Sequence, residues 1–459
     1  MKYIWSKEDL SLALNQDIGF DGGPVSSNSK EIKPGDIFIA LKGGKTDGHN
    51  YIEDALKRDA SFVIASHIPS KLKQTEKIII VEDTYQALLS LAAFRRRQSK
   101  AKFISITGSC GKTSTKFYLT QILSKFAKST CSQASFNNYL GVPLTLASLP
   151  LDAEYVVMEI GTNHLDEIKP LAQLVKSDIA IITNVLSAHI GNFSSFHELV
   201  YEKAQIFQGT LPNAIGIINK SLDTKCLEII QKEATLNGIQ KLLYFGGEKS
   251  QVDAAVLDYK LLDNSLAQVQ IQVGNMILNY TTGVIGKHNA ANFLAIILAC
   301  MHLELDLDKV LTSFKDLKNI DGRGKIISVT KFDKSFKIID DAFNANPGST
   351  SAALENFAHF QSEQKVVVLS DMLELGKDSL TFHQNLKPTL IKSGAYKFIA
   401  VGEMMKHLYD HVEGIEKHFF QDTNKLLASI HDLIVDGDVL LFKGSKSTNL
   451  HQAVDFLKN

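Results

Sequence analysis

A short stretch of this 459-residue chain carries the glycine, lysine and hydroxyl residues that bind a triphosphate. An apolar run, Phe103 to Thr107, leads into Gly108-Ser-Cys-Gly-Lys-Thr-Ser114, and a helix is predicted to begin near Lys112. The two glycines let backbone N–H groups converge on one anion, and the helix N-terminus adds partial positive charge. Lys112 can contact the phosphates, and the Thr113 hydroxyl can bind Mg²⁺. Although the spacing is GxxGKT instead of GxxxxGKT, the pattern predicts ATP or GTP binding more strongly than a purely structural glycine turn.

A carboxylate and a histidine follow two further predicted strands and could complete a metal site. Glu159 ends the apolar run that begins at Tyr155, and His189 follows the run that begins at Ile181. Because open α/β sheets bind ligands at the carboxyl ends of their strands, both side chains can reach the phosphate loop. A carboxylate in so apolar a run is costly unless a cation pairs with it. Glu159 is therefore either a Mg²⁺ ligand or the partner of a buried lysine.

The elements that position these residues divide into three α/β segments. Residues 1–100 contain short β-rich runs and end in a basic helix. Residues 101–318 alternate strands that are apolar on both faces with helix-length stretches, which predicts a P-loop-type domain built on a mainly parallel sheet. From residue 319 the alternation restarts, which predicts a second doubly wound, Rossmann-like sheet through residue 459. We therefore expect three domains, with boundaries near residues 100 and 318.

Composition excludes several classes of protein. The chain is 44% hydrophobic and 22% charged, and its 49 basic and 50 acidic residues leave a formal net charge of −1. No overall field favours nucleic acid or an anionic membrane. The four cysteines are widely spaced and form no CxxC pair, which is typical of a reducing cytoplasm and disfavours a disulfide framework. The apolar runs are far shorter than the roughly 20 residues of a membrane span.

Together, the motifs resemble those of the Mur ligase family, the ATP-dependent amide-forming enzymes of peptidoglycan precursor synthesis. In the first segment the resemblance rests on Ser27-Asn-Ser-Lys30, Pro34-Gly-Asp-Ile-Phe-Ile-Ala-Leu41 and Asp47-Gly-His49. In the central segment it rests on the phosphate loop, Ser135-Phe-Asn-Asn-Tyr-Leu-Gly-Val-Pro143, Glu159-Ile-Gly-Thr-Asn-His164, Thr183-Asn-Val-Leu-Ser-Ala-His189 and Gly286-Lys-His-Asn-Ala-Ala-Asn292. In the last it rests on Gly322-Arg323, Asp340-Asp-Ala-Phe-Asn-Ala-Asn-Pro347, Leu369-Ser-Asp-Met-Leu-Glu-Leu-Gly376 and Lys443-Gly-Ser-Lys446.

The resemblance implies a reaction and its partners. ATP would phosphorylate the terminal carboxylate of a UDP-N-acetylmuramoyl tripeptide, and the amine of D-alanyl-D-alanine would then displace phosphate from the acyl phosphate to form the amide. Two Mg²⁺ ions would assist. The first domain would bind the UDP-linked substrate, the central domain would bind ATP, and the last would close on ATP and bind the dipeptide. The family also implies a cytoplasmic monomer.

Motif by motif, the resemblance assigns roles to single residues. Nucleotide binding would involve Gly108, Ser109, Cys110, Gly111, Lys112, Thr113, Ser114, Asn292, Arg323 and Asp341. Metal binding would involve Thr113, Glu159, His189 and a carbamylated Lys203, and the catalytic set would be Lys112, Lys203, Glu159 and His189. Substrate contacts would involve Ser29, Lys30, Asn137, Asn138, Asn344 and Asn346. The chain departs from the family at Cys110, where Ser, Thr or Asn is usual, and at Lys30, where Arg is usual.

Two alternative functions stay open. Another ligase of the same superfamily would add a different amino acid to the muramoyl peptide or glutamate to a folate. The Asn-Ala-Asn-Pro and Asp-Met-Leu-Glu-Leu-Gly blocks weigh against it. A P-loop switch that uses nucleotide to bind a protein partner would hydrolyse nucleotide without forming an amide. That alternative leaves the motifs of the first segment unexplained.

Overall fold

Three β-sheets, of four, nine and six strands, follow one another along the residues that the computed structural model describes, 4–44, 46–72, 76–186, 190–247, 251–262 and 266–459. Each sheet is built mainly from parallel strands with helices between them. The three-domain α/β fold expected from the sequence is confirmed.

The first sheet is small and parallel, in the order β1-β2-β3-β4. Its strands are β1 (Val25–Ser26), β2 (Ile37–Ile39), β3 (Phe62–Ala65) and β4 (Ile78–Ile80), and its helices are α1 (Lys7–Leu14), α2 (Ile52–Lys57) and α3 (Thr84–Gln98). The Asp83 carboxylate accepts hydrogen bonds from the backbone N–H groups of Tyr85 and Gln86, which starts α3. This helix ends in the basic run that marks the expected domain boundary.

The central sheet has the order β13-β12-β11-β10-β9-β8-β5-β7-β6. Its strands are β5 (Lys102–Thr107), β6 (Ser129–Cys131), β7 (Tyr155–Glu159), β8 (Ser177–Ile182), β9 (Thr210–Asn219), β10 (Lys241–Phe245), β11 (Ala254–Leu261), β12 (Ala267–Val273) and β13 (Met276–Thr282). Its helices are α4 (Lys112–Leu123), α5 (Gly141–Ala147), α6 (Ile168–Val175), α7 (Phe196–Ala204), α8 (Thr224–Leu236), α9 (Lys287–His302) and α10 (Leu307–Ser313). Strands β5 to β11 are parallel, and β5, β7, β8 and β9 contribute side chains to two large apolar cores, which explains why these four strands are apolar on both faces.

The last sheet has the order β14-β15-β19-β16-β17-β18 and is parallel except for the β14–β15 pair. Its strands are β14 (Lys325–Lys331), β15 (Lys334–Asp341), β16 (Lys365–Ser370), β17 (Lys397–Val401), β18 (Glu416–Phe420) and β19 (Val439–Lys443). Its helices are α11 (Pro347–Ala358), α12 (Ser379–Gln384), α13 (Lys387–Lys392), α14 (Glu403–His411), α15 (Thr423–Leu433) and α16 (His451–Lys458).

The segment between the second and third sheets is anchored to α4. The Gln121 side chain accepts a hydrogen bond from Lys318 N at 2.8 Å and donates one to Lys318 O at 3.2 Å. This helix begins at the predicted phosphate loop, so the connection to the last domain and the loop share one rigid element. Within the described part of the chain, no helix is both long and apolar enough to cross a membrane.

Candidate active site

A cleft of about 540 Å³ lies where the carboxyl ends of the central strands face the last domain. One wall comes from the segments that follow β5, β7 and β8 and from the start of α9, and the other from Arg323, the segment that follows β15 and Lys443 at the end of β19. Fourteen of the residues assigned from the sequence line it, namely Ser109, Cys110, Gly111, Lys112, Thr113, Ser114, Asn137, Asn138, Glu159, Asn292, Arg323, Asp341, Asn344 and Asn346. Residues more than 200 positions apart therefore meet at one site.

The phosphate loop turns through two glycines that only glycine accommodates well. Gly108 has a φ of +147° and Gly111 has a φ of +82°. A Cβ on Gly108 would overlap the Thr183 hydroxyl, and one on Gly111 would lie 2.6 Å from Asn292 Nδ2. Among the residues that the structure describes, the backbone N–H groups of residues 111–114 have no acceptor. These first-turn groups of α4 can bind an anion.

The start of the loop is held by the segment that follows β8. Asn184 accepts hydrogen bonds from Ser109 N at its backbone oxygen (2.9 Å) and from Cys110 N at its side-chain oxygen (2.8 Å). The Thr183 hydroxyl donates to Cys110 O at 2.6 Å. The N–H groups of Ser109 and Cys110 are therefore used to shape the loop, and those after them are the ones available to a ligand.

Two lysines, one of them buried, share one backbone acceptor of the loop. Lys112 Nζ donates to Gly108 O at 2.7 Å, and Lys203 Nζ donates to the same oxygen at 3.2 Å. Lys203 lies on α7 and is only 2% exposed. Burial, and secondarily the positive charge of Lys112, lowers the pKa of Lys203 to about 7. Burial also lowers the pKa of Lys112. At neutral pH the Lys203 amine is thus substantially uncharged.

Glu159 is fully buried and is contacted from three sides. Its Oε1 accepts hydrogen bonds from Asn137 Nδ2 at 2.7 Å and from the Thr113 hydroxyl at 3.1 Å. Its Oε2 lies 3.2 Å from Lys116 Nζ, and that lysine is fully buried too. The structure therefore contains the pairing with a buried lysine that the sequence left open, and it also places the carboxylate beside the Thr113 hydroxyl. A carboxylate and a hydroxyl oxygen at this spacing fit Mg²⁺, which prefers hard oxygen ligands.

The last domain contributes charged and aromatic groups to the opposite wall. Lys443 Nζ, which is 3% exposed, lies 2.7 Å from Asp341 Oδ2 and donates to Asn344 O at 3.1 Å. The Arg323 guanidinium lies over the Phe343 ring, 4.3 Å from its centroid. These contacts hold Asp341 and Arg323 in place at the lip of the cleft.

All four predicted substrate contacts at the cleft have side-chain amide atoms engaged within the protein: Asn137 with Glu159, Asn344 with Ala345 N, and Asn138 and Asn346 with backbone N–H groups near the starts of helices. Asn346 Oδ1 accepts a hydrogen bond from Ser349 N and caps α11, and its Nδ2 lies 2.9 Å from Cys110 Sγ. Asn138 Oδ1 accepts a hydrogen bond from the backbone N–H of Gly141, the first residue of α5, at 2.9 Å. The Cys110–Asn346 contact joins the phosphate loop to the last domain.

Two predicted site residues lie away from the cleft, and a third is outside the described residues. Ser29 and Lys30 are in the first domain, in the one-turn 3-10 helix Ser29–Glu31, and neither lines the cleft. Ser29 is buried and Lys30 is exposed. His189 lies outside the described residues.

Two buried lysines of the site, Lys116 and Lys443, were not assigned a role from the sequence. Lys116 follows Thr113 by three residues, so both lie on one face of α4, and this spacing was the available signal. Lys443 ends β19, next to β15, which ends in Asp341. Only the strand order shows that these two neighbours meet.

Comparison with family models matches all three segments of the chain. The model described as Mur ligase family, catalytic domain, matches residues 24–96. The Mur ligase middle domain matches residues 106–300, and the Mur ligase glutamate ligase domain matches residues 322–446.

Named relatives match over nearly the whole chain. The chain is 36% identical, over 458 residues and 99% of both chains, to the UDP-N-acetylmuramoyl-tripeptide--D-alanyl-D-alanine ligase of Rickettsia prowazekii. It is 29% identical to the enzyme of that name from Escherichia coli, over 95% of this chain and 93% of the relative. The crystal structure of MurF from Acinetobacter baumannii superposes with a TM-score of 0.84 at 28% identity, covering 99% of this chain and 98% of that one.

Proposed function

This chain belongs to the Mur ligase family, and on that premise we propose that it is an ATP-dependent ligase that joins D-alanyl-D-alanine to a UDP-N-acetylmuramoyl tripeptide. Support comes from the Rickettsia prowazekii relative of that name, which matches from end to end. The main structural support is the cleft, in which the phosphate loop and Glu159 face three residues of the last domain, Arg323, Asp341 and Lys443. A site with this charge pattern suits a nucleotide triphosphate held between two domains.

In the proposed reaction the γ-phosphate of ATP passes to the terminal carboxylate of the tripeptide, which yields an acyl phosphate and ADP. The amine of D-alanyl-D-alanine then attacks the carbonyl carbon, and phosphate leaves as the amide forms. The free N–H groups of residues 111–114 and the Lys112 ammonium would hold the phosphates. Asn292 would lie near the adenine, and Arg323 and Asp341 would contact the nucleotide from the last domain. Closing the two walls on the acyl phosphate excludes the water that would hydrolyse it.

Thr113 and Glu159 would hold one Mg²⁺, and His189 with a carbamylated Lys203 would hold a second. The metal would neutralise charge on the phosphates during transfer. Thr113 and Glu159 already place two oxygen atoms 3.1 Å apart at the cleft.

Carbamylation of Lys203 is supported by its surroundings. The reaction joins the neutral amine to CO₂ and releases one proton, so it needs an uncharged lysine, and burial favours that form here. The negative carbamate would also replace repulsion between Lys203 and Lys112 with attraction. No new charge would then remain unpaired in the buried layer behind the loop.

We further propose that three domains, 1–100, 101–318 and 319–459, each bind a different substrate. The first would bind the UDP moiety through Ser29 and Lys30. The central domain would bind ATP, with Asn137 and Asn138 near the muramoyl peptide. The last would bind D-alanyl-D-alanine, with Asn344 and Asn346 near it. The protein would act as a cytoplasmic monomer, and its four cysteines are all free, as in a reducing compartment.

The decisive experiment measures ATP-dependent phosphate release with UDP-muramoyl tripeptide, with and without D-alanyl-D-alanine, and follows the amide product by mass. Tripeptides that end in meso-diaminopimelate and in lysine should be compared. Release that requires both substrates and yields the pentapeptide supports the proposal. An amide product only with another amino acid would indicate a different ligase of the family, and release that ignores both substrates would indicate a nucleotide switch.

A further inference from the structure

Lys116 connects the buried carboxylate of the site to a neighbouring loop. Its ammonium lies 3.2 Å from Glu159 Oε2 and also donates a hydrogen bond to the backbone oxygen of Ala134. Ala134 belongs to the segment 132–138 between β6 and α5, which we call the junction loop. One buried side chain therefore touches both the proposed metal ligand and the loop.

The junction loop is tied to the same carboxylate a second time. Asn137 Nδ2 donates to Glu159 Oε1, and Asn137 O accepts from Gly161 N at 2.8 Å. A Cβ on Gly161 would lie 2.8 Å from Asn137 Cγ, so this close approach requires glycine. The other face of the loop lines the cleft through Ser135, Asn137 and Asn138. Its position consequently decides the shape of the wall that a substrate would meet.

The charges of Glu159 and Lys116 predict how metal binding would affect the junction loop. In the metal-free protein, Glu159 balances the buried charge of Lys116. A divalent cation on Glu159 draws the carboxylate charge away, and the ammonium must then rely more on the Ala134 oxygen. The bond that holds the loop would strengthen when metal and nucleotide bind.

We infer that Lys116 is a positioning residue, an inference that rests on the proposed function. It couples binding of the metal–nucleotide complex at Glu159 to ordering of the junction loop. Ordering of this loop in turn favours binding of the UDP-linked substrate. Such coupling is reciprocal and is measured as a ratio of two affinities. A variant that is only less stable than the wild type would keep the ratio of its two tripeptide affinities.

The test is calorimetric titration of UDP-muramoyl tripeptide, with and without Mg²⁺ and a non-hydrolysable ATP analogue. In the wild type the nucleotide complex should tighten tripeptide binding by at least about fivefold. In Lys116→Met, which keeps the length of the side chain, the ratio should fall close to one. The control Lys128→Met removes an exposed lysine of the same domain that pairs with Asp152 away from the cleft, and it should keep the wild-type ratio.

The outcomes separate this inference from the proposed function. A wild-type protein that binds neither ligand contradicts the proposed function. A wild type that binds both ligands without coupling, or a Lys116→Met protein that keeps the full ratio, contradicts the role of Lys116 alone. If Lys116→Met does not fold, Asn137→Ala removes the other link between loop and carboxylate, and it must reduce the same ratio for the inference to stand.

Discussion

Gly111→Ala tests whether the phosphate loop and Asn292 act together on nucleotide. Gly111 has a φ of +82°, and an added Cβ would lie 2.6 Å from Asn292 Nδ2. The left-handed backbone costs an L-residue about 1–2 kcal/mol. The clash then either rotates the Asn292 amide out of the cleft or shifts the first N–H groups of α4. Both responses disturb groups that would contact the nucleotide.

The size of the effect follows from which contact is lost. Displacing Asn292 alone removes one hydrogen bond between neutral groups, about 0.5–1.5 kcal/mol, or a loss of affinity of about twofold to tenfold. A shift of the N–H groups would remove a charge-assisted bond to phosphate, about 1.5–3 kcal/mol, or about tenfold to more than a hundredfold. We expect the Kd for ATP to rise by about tenfold, between these limits.

Gly238→Ala is the matched control. Gly238 follows α8 in the same domain with a φ of +77°, but nothing lies within 4 Å of its added Cβ. It carries the same backbone cost without a clash, so its loss of thermal stability without nucleotide measures the backbone cost alone, and Gly111→Ala should lose at least as much. Fluorescent nucleotide titration gives the two Kd values. A wild-type Kd in Gly111→Ala, or an equal loss in Gly238→Ala, would refute the reasoning.

Other perturbations probe the buried charges and the thiol. Lys203→Ala should lower kcat by about a hundredfold or more, with substantial rescue by short carboxylic acids; near wild-type turnover would exclude a metal-binding carbamate. Incorporation of ¹³CO₂ at Lys203, followed by ¹³C NMR at constant dissolved CO₂, should fall as the pH drops through about 7, because protonation removes the reactive amine. A label that is independent of pH would contradict this cause. Alkylation of Cys110 should slow at saturating ATP, since the thiol lines the cleft and contacts Asn346; equal rates with and without ATP would place the nucleotide elsewhere. Lys443→Met should lower the free energy of unfolding by about 2–3 kcal/mol, because it leaves the Asp341 carboxylate without its buried partner. Denaturant titrations of the double variant, in which Asp341→Asn is added, should show that part of this loss is restored.

Much of the fold follows from local pattern. Strands such as β5 and β8 are apolar on both faces because each separates two cores, and that pattern alone predicts a parallel sheet with helices on both sides. The antiparallel strands β12 and β13 were not predicted. In β12 the burial alternates with a period of two, a weaker signal in a sequence than a continuous apolar run. The edge strand β13 and its neighbour β12 carry fewer of the residues that mark a strand buried on both faces.

The site could be predicted where its residues lie at the ends of neighbouring strands or at the start of a helix. Thr113 and Glu159 belong to this class, and the structure places their oxygens 3.1 Å apart. Lys443 also ends a strand, but the sequence does not show that β19 lies beside β15, because this pairing joins residues 102 positions apart. The amide of Asn346 was likewise assigned to substrate without the knowledge that it caps α11 and meets Cys110.

For Glu159, composition and spacing suggest two alternative partners that do not exclude each other. A buried carboxylate beside apolar residues must be compensated, and the sequence offers a metal or a lysine as alternatives. A carboxylate has two oxygens and about four lone-pair sites, so Oε2 can form the ion pair with Lys116 while Oε1 accepts a hydrogen bond from the Thr113 hydroxyl. Lys116 compensates the charge of the buried carboxylate, while Oε1 lies beside the Thr113 hydroxyl. The arrangement that stabilises the empty protein is therefore the one that prepares it for a cation, and the Lys116→Met titration separates these two contributions.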